Sequence, residues 1–133
     1  MNYFAYGSNL NLKQMKERCP EAKPRFTATL PNHRLVFVGW SRQWRGGVVT
    51  IRPMRGEKVK GAVYQISEQC LKQVDKYEGY PTTYDRKTVT VFDEDGTPVE
   101  AVAYIMSAQR EETPPSKEYL AVIQQGYRDW HLV

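Results

Sequence analysis

Two short stretches of this chain hold residues suited to chemistry, and they lie far apart in sequence: Tyr6-Gly7-Ser8-Asn9 and Tyr77-Glu78-Gly79. The first follows an aromatic, strand-like run from Tyr3 and precedes a segment with helical spacing. Gly and Asn accept the backbone angles of tight turns, and a helix start leaves several N–H groups without intrahelical acceptors. Such a turn can hold an anion or a developing oxyanion; it can equally be a plain connection between strand and helix. The second stretch supplies a carboxylate. Leu71, Val74 and Glu78 fall at i, i+3 and i+7 of a predicted helix, so Glu78 ends an apolar stripe. Facing a core or a pocket, it has its pKa raised, as an acid/base group working near neutral pH requires. The competing reading is a helix-end glutamate in water, or one paired with Lys76 or Arg86. Asp75 is the rival carboxylate, with a structural role as its commoner fate.

The remaining inventory is sparse. His33 and His131 are the only histidines, and neither lies at a metal-ligand spacing from Cys or carboxylates. Cys19 precedes Pro20 and Cys70 sits inside a predicted helix, so both read as buried free thiols rather than nucleophiles. Ser8 lacks the G-x-S-x-G elbow of hydrolases, and no phosphate loop or dinucleotide fingerprint is present. One carboxylate and one polar loop must then suffice. That favours intramolecular chemistry in which the substrate brings its own nucleophile.

Several elements have to position these groups. Asn11 caps a first helix, with Gln14 three residues on and Leu12, Met15 and Cys19 marking one face. Residues 34–40 read as a buried strand and 41–47 as a polar loop. Residues 48–51 form a strand stopped by Pro53 and Gly56. In residues 59–66, Val59, Gly61 and Val63 share one face and Ala62, Tyr64 and Ile66 the other, with Gly61 marking a bulge or a close backbone approach. Ser67 caps a second helix that runs to about Glu78 and ends at Gly79, with Pro81 beyond. Strands at 87–92 and 99–105 flank the hairpin signal Asp93-Glu94-Asp95-Gly96-Thr97-Pro98. Pro114-Pro115-Ser116 leads into a helix over 117–125, where Tyr119, Leu120 and Ile123 share a face. Many strands with short interspersed helices indicate an α+β fold with a curled or closed sheet.

Bulk properties narrow the classes. A length of 133 residues fits a single domain over 1–133, and 41% hydrophobic with 26% charged residues excludes a disordered chain. The net charge of +4 is spread out, and Arg42 and Arg45 with Trp40 and Trp44 make only a weak basic–aromatic cluster. No nucleic-acid partner is expected on that basis. No basic segment leads into an apolar run and no stretch reaches membrane-spanning length, so no secretory signal or membrane association is expected and the chain reads as cytoplasmic.

Further stretches fall in a familiar order: Arg18-Cys19-Pro20, Gly46-Gly47, Gly61-Ala62-Val63-Tyr64 and Pro115-Ser116-Lys117-Glu118-Tyr119. With the two principal motifs, they make nearly the whole chain resemble the gamma-glutamylcyclotransferase-like family. The resemblance implies a small mixed, closed β-barrel with flanking short helices and a cavity at the first loop. It implies that Tyr6, Gly7, Ser8 and Asn9 bind substrate, that Tyr119 faces the pocket and that Glu78 is the acid/base residue. The implied reaction converts a small gamma-glutamyl amide to 5-oxoproline plus a free amine or amino acid, by attack of the substrate's α-amine on its own γ-carbonyl. It requires no metal, nucleotide or other cofactor. The alternative is a non-catalytic member of the same fold that binds a small ligand or a partner, because fold does not fix activity.

Overall fold

Side-chain alternation along the first strand sets the plan of the molecule. In the computed structural model, which describes residues 1–133, β1 (Asn2–Ala5) sends Tyr3 and Ala5 into one hydrophobic cluster and Phe4 into a second. That is the period-two pattern of a strand covered on both faces. The same split recurs in β3 (Gly46–Gln65), where Val59 and Val63 join Phe4 while Ala62, Tyr64 and, just past the strand end, Ile66 join Tyr3. Gly61 lies where β3 passes β1. A Cβ built there meets the Ala5 carbonyl oxygen at 2.3 Å and the Phe4 ring at 2.7 Å, so the close approach expected from sequence is present.

β2 (Lys23–Ser41) and β3 form one long antiparallel ribbon, paired from Lys23↔Gln65 to Ser41↔Gly46. β4 (Asp85–Asp93) and β5 (Pro98–Ile105) form a second hairpin, turned by Gly96. The order β1-β3-β2-β4-β5 closes into a barrel, with β1 antiparallel to β3 and parallel to β5 at Tyr3↔Val102. The implied closed barrel is the observed architecture.

The ribbon corrects the sequence reading in two places. Pro53 and Gly56 do not stop a strand: β3 runs through them. Pairing passes from His33↔Pro53 to Pro31↔Lys58, so residues 54–57 bulge opposite Asn32. Asn32 adopts a left-handed φ of 58° and its Oδ1 accepts from the Gly56 N–H at 3.1 Å, with Gly56 itself at φ 86°. Proline and glycine here mark a bulge, which bends a strand without ending it. Residues 23–33, not read as strand, complete β2; only Ala28 and Leu30 of this half are buried, too few to give a long apolar pattern.

The helices follow their capping residues. Asn11 accepts from the Gln14 N–H at the start of α1 (Leu12–Arg18), Ser67 from Cys70 N–H at the start of α2 (Glu68–Glu78), and Ser116 from Tyr119 N–H at the start of α3 (Lys117–Asp129). Gly79 ends α2 in the left-handed conformation at φ 69°. On α1 the buried face is Met15, Arg18 and Cys19, whereas Leu12 stays exposed in the first turn, its N–H given to Asp129. The cysteines are buried as expected but not free: Cys19, after α1, is disulfide-bonded to Cys70 in the first turn of α2. Each had been placed on its own element, and the packing of α1 beside α2 is what joins them. No helix is long and apolar enough to cross a membrane.

Candidate active site

The turn after β1 and the last residue of α2 meet at one cavity. Ser8–Leu10 forms a single 3-10 turn, closed by Leu10 N–H donating to the Gly7 carbonyl, and it holds Asn9 buried. The Asn9 amide is the hub. Its Nδ2 donates to the Glu78 Oε1 at 3.2 Å and to the Tyr3 hydroxyl at 2.8 Å, while its Oδ1 accepts from Arg18. The backbone carbonyl of Asn9 accepts from the Tyr64 hydroxyl at 2.7 Å. The side chain and backbone of one residue therefore tie the turn to α1, α2 and the barrel wall.

Glu78 lies on the face of α2 that carries Leu71 and Val74, as the stripe predicted. The residue as a whole is half-buried, but its carboxyl is surrounded by aromatic side chains. Burial pushes it up from 4.5 to about 7, against the opposing pull of the Arg18 guanidinium. It pairs with neither Lys76 nor Arg86. Arg86 instead pairs with Asp75 at 3.4 Å, and Asp75 also accepts from the Tyr104 hydroxyl at 2.6 Å. Asp75 thus joins α2 to the β4–β5 hairpin, the structural role expected of it.

The cavity has two parts that share Ser8, Glu78, Tyr84 and Tyr119. The inner recess, about 30 Å³, is walled by the Tyr6–Asn9 turn and by tyrosines. The outer part, about 290 Å³, opens past Arg18, Trp40, Trp44, Tyr77 and Arg110. Glu78 is the one carboxyl lining either part. Burial raises the phenols of Tyr3, Tyr6, Tyr84, Tyr104 and Tyr119 above the ordinary tyrosine value, so they stand as neutral walls around a titrating carboxyl.

All six residues singled out from sequence border this cavity: Tyr6, Gly7, Ser8, Asn9, Glu78 and Tyr119. Their parts differ. Tyr6 gives its hydroxyl proton to the Tyr104 carbonyl. Tyr119 accepts from the Val49 N–H at 3.0 Å, which leaves its own proton to be donated, and its ring sits 4.9 Å from that of Trp44. Gly7 is hemmed in: a Cβ there meets Val49 Cγ1 at 2.5 Å.

Arg18 is the residue that sequence reasoning passed over. It is 9% exposed, contacts Ser8 and Asn9, and lies 4.8 Å over the Tyr77 ring. The available signal was its place one turn after Met15 on the buried face of α1. Tyr3, Tyr84 and Tyr104 were likewise missed, since a phenol in a strand, or just before one as Tyr84 is, reads as core until the sheet closes.

Comparison with known proteins gives the family and the fold. A family model described as Gamma-glutamyl cyclotransferase, AIG2-like matches residues 3–129. The chain is similar to gamma-glutamylcyclotransferase of Bos taurus, 34% identical over 132 residues that cover 96% of this chain and 70% of the relative. The Homo sapiens protein of the same name is 32% identical over the same shares. Among solved structures, one of a gamma-glutamyl cyclotransferase superposes with a TM-score of 0.94 at 31% identity, covering 99% of this chain and 80% of that one. A match across nearly the whole chain, in both sequence and barrel, leaves one conclusion: this protein belongs to the gamma-glutamyl cyclotransferase, AIG2-like family of enzymes.

Proposed function

We propose that the protein converts a small gamma-glutamyl amide to 5-oxoproline and a free amine or amino acid, with Glu78 as the acid/base group. The observation that carries this reading is Glu78 itself, the one carboxyl lining the cavity, raised to about 7 and bonded to the turn that faces it. A group with that pKa is half-ionised near neutral pH, so it can accept a proton and then return it.

The reaction needs no group from outside. Glu78 takes a proton from the substrate's α-ammonium, and the freed amine attacks the γ-carbonyl carbon. A five-membered ring forms and the carbonyl becomes a tetrahedral oxyanion. Glu78 then protonates the amide nitrogen and the carbon–nitrogen bond breaks. The second proton, shed by the ring nitrogen, passes through the again-ionised Glu78 to the freed amine, which departs as an ammonium ion beside neutral 5-oxoproline. Proximity comes largely from the ring being closed. The Tyr6–Asn9 turn binds the γ-glutamyl half through the Gly7–Asn9 backbone N–H groups, and Tyr119 offers its hydroxyl proton to the same recess.

Incubation with gamma-glutamyl amino acids and amines is the direct test. The expected product is 5-oxoproline, with kcat/KM rising as pH passes through about 7 because the base must be ionised in the free enzyme. Release of free glutamate, or a profile that falls through that range, overturns the assignment.

The turn acts through its backbone, so its side chains matter unequally. Gly7→Val brings a branched side chain against Val49 in a packed wall, and such overfilling costs about 1–3 kcal/mol. A loss of more than about tenfold in kcat/KM is expected, with a lowered Tm, because displacement of a positioned group is felt directly in rate. Ser8→Ala removes only a 3.4 Å contact to Arg18 and is expected to cost much less. The reverse ranking in kinetics would remove the backbone role.

A further inference from the structure

The cavity holds two arginines at different depths. Arg18 is buried against Ser8 and Asn9 at the junction with the inner recess, and Arg110 stands at the outer mouth. Glu78 is the only acid among the lining residues. Two of the chain's ten arginines are ion-paired, Arg34 with Glu112 at 3.6 Å and Arg86 with Asp75 at 3.4 Å. Neither Arg18 nor Arg110 has a carboxylate within ion-pair distance.

Arg110 is held in place by its backbone. The segment after β5 is fastened to β2 by Gly39 N–H donating to the Glu111 carbonyl at 3.0 Å and Thr113 N–H to the Phe37 carbonyl at 2.9 Å. Arg52 donates to the carbonyl of Arg110 itself at 2.7 Å. The side-chain stem rests on Gly39, where a Cβ would sit 3.1 Å from the Arg110 Cδ. These ties aim a solvated cation over the cavity. Around it the mouth is aromatic, with Trp40 67% and Tyr77 58% exposed.

This inference rests on the cyclotransferase reading. The γ-glutamyl half of such a substrate carries one carboxylate, and on that reading it lies with the attacking amine at the Glu78 end of the cavity, against the Tyr6–Asn9 turn. Whatever lies beyond the scissile amide extends past Trp44 toward the mouth. We propose that Arg110 is a specificity-determining residue of this site: its guanidinium binds a carboxylate on the departing group, so that amides of amino acids are selected over amides of the matching plain amines. An arginine fork suits a carboxylate through paired N–H donors. Because Arg110 is exposed, the effect is expected near the lower end for charged hydrogen bonds, about tenfold in kcat/KM.

Two compounds test it: gamma-glutamyl-phenylalanine and gamma-glutamyl-2-phenylethylamide, which differ only in the leaving-group carboxylate. Wild type is expected to favour the acid about tenfold. In Arg110→Met that ratio falls to near one, Arg110→Lys restores part of it, and added salt lowers it in wild type. A ratio near one in wild type, or a ratio unchanged in Arg110→Met, overturns the proposal. Formation of 5-oxoproline from neither compound overturns the cyclotransferase reading and this proposal with it.

Discussion

Glu78→Gln is expected to lower 5-oxoproline production by about 10² to 10⁴, the scale lost when a positioned acid/base group is removed. The amide keeps the size of the side chain and its hydrogen bond from Asn9, so fold and much of the ligand affinity should persist. Stability has a definite sign. A carboxyl whose pKa is raised in the folded state binds its proton more tightly folded than unfolded. Its contribution is therefore fully present below about 4.5 and is lost as pH rises through about 7. Glutamine removes that loss, so Tm at or above neutral pH should be equal to or higher than that of wild type. Asp75→Asn is the control. It weakens the link between Arg86 and Tyr104 and is expected to act on Tm more than on kcat. Near wild-type turnover in Glu78→Gln, or a larger kinetic loss in a folded Asp75→Asn, removes Glu78 from its role.

Acetylation of the substrate's α-amine should abolish turnover. The amine is the nucleophile, and an acetyl group ties up its lone pair in an amide while the γ-carbonyl and leaving group stay as they were. The unmodified gamma-glutamyl compound should yield 5-oxoproline and the acetylated one nothing under the same conditions. The acetyl group adds bulk beside the Tyr6–Asn9 turn, so the acetylated compound should also be tested as a competitive inhibitor. Inhibition without turnover separates lost chemistry from lost binding. Cleavage of the acetylated compound means that water, not the amine, attacks the carbonyl.

Local signals survived folding where they were chemical and failed where they depended on closure. The caps at Asn11 and Ser67, the stop at Gly79 and the stripe ending in Glu78 are each decided within a few residues, and all are present. The β2–β3 ribbon was fragmented because Pro53 and Gly56 are strong turn signals, and only pairing across the ribbon turns them into a bulge around Asn32. Arg18 and the tyrosine wall were invisible for a related reason. A guanidinium at a helix end reads as solvated until Asn9, Ser8 and Tyr77 arrive from elsewhere in the chain. The Cys19–Cys70 bond was missed likewise, since nothing in either neighbourhood specifies that α1 lies against the start of α2.

Strand β1 is four residues long, yet it carries the Tyr6–Asn9 turn and joins both sides of the barrel seam, Ala5 to Ala62 and Tyr3 to Val102. During synthesis it emerges before either partner, and pairings across such separations close large loops and form late. The last tie on the turn, the Tyr6 hydroxyl donating to the Tyr104 carbonyl, therefore forms only once the last strand has docked. Competence to bind and completion of the fold arrive together. A nascent chain stopped short of β5 already contains Asn9, Arg18 and Glu78, and still has no site.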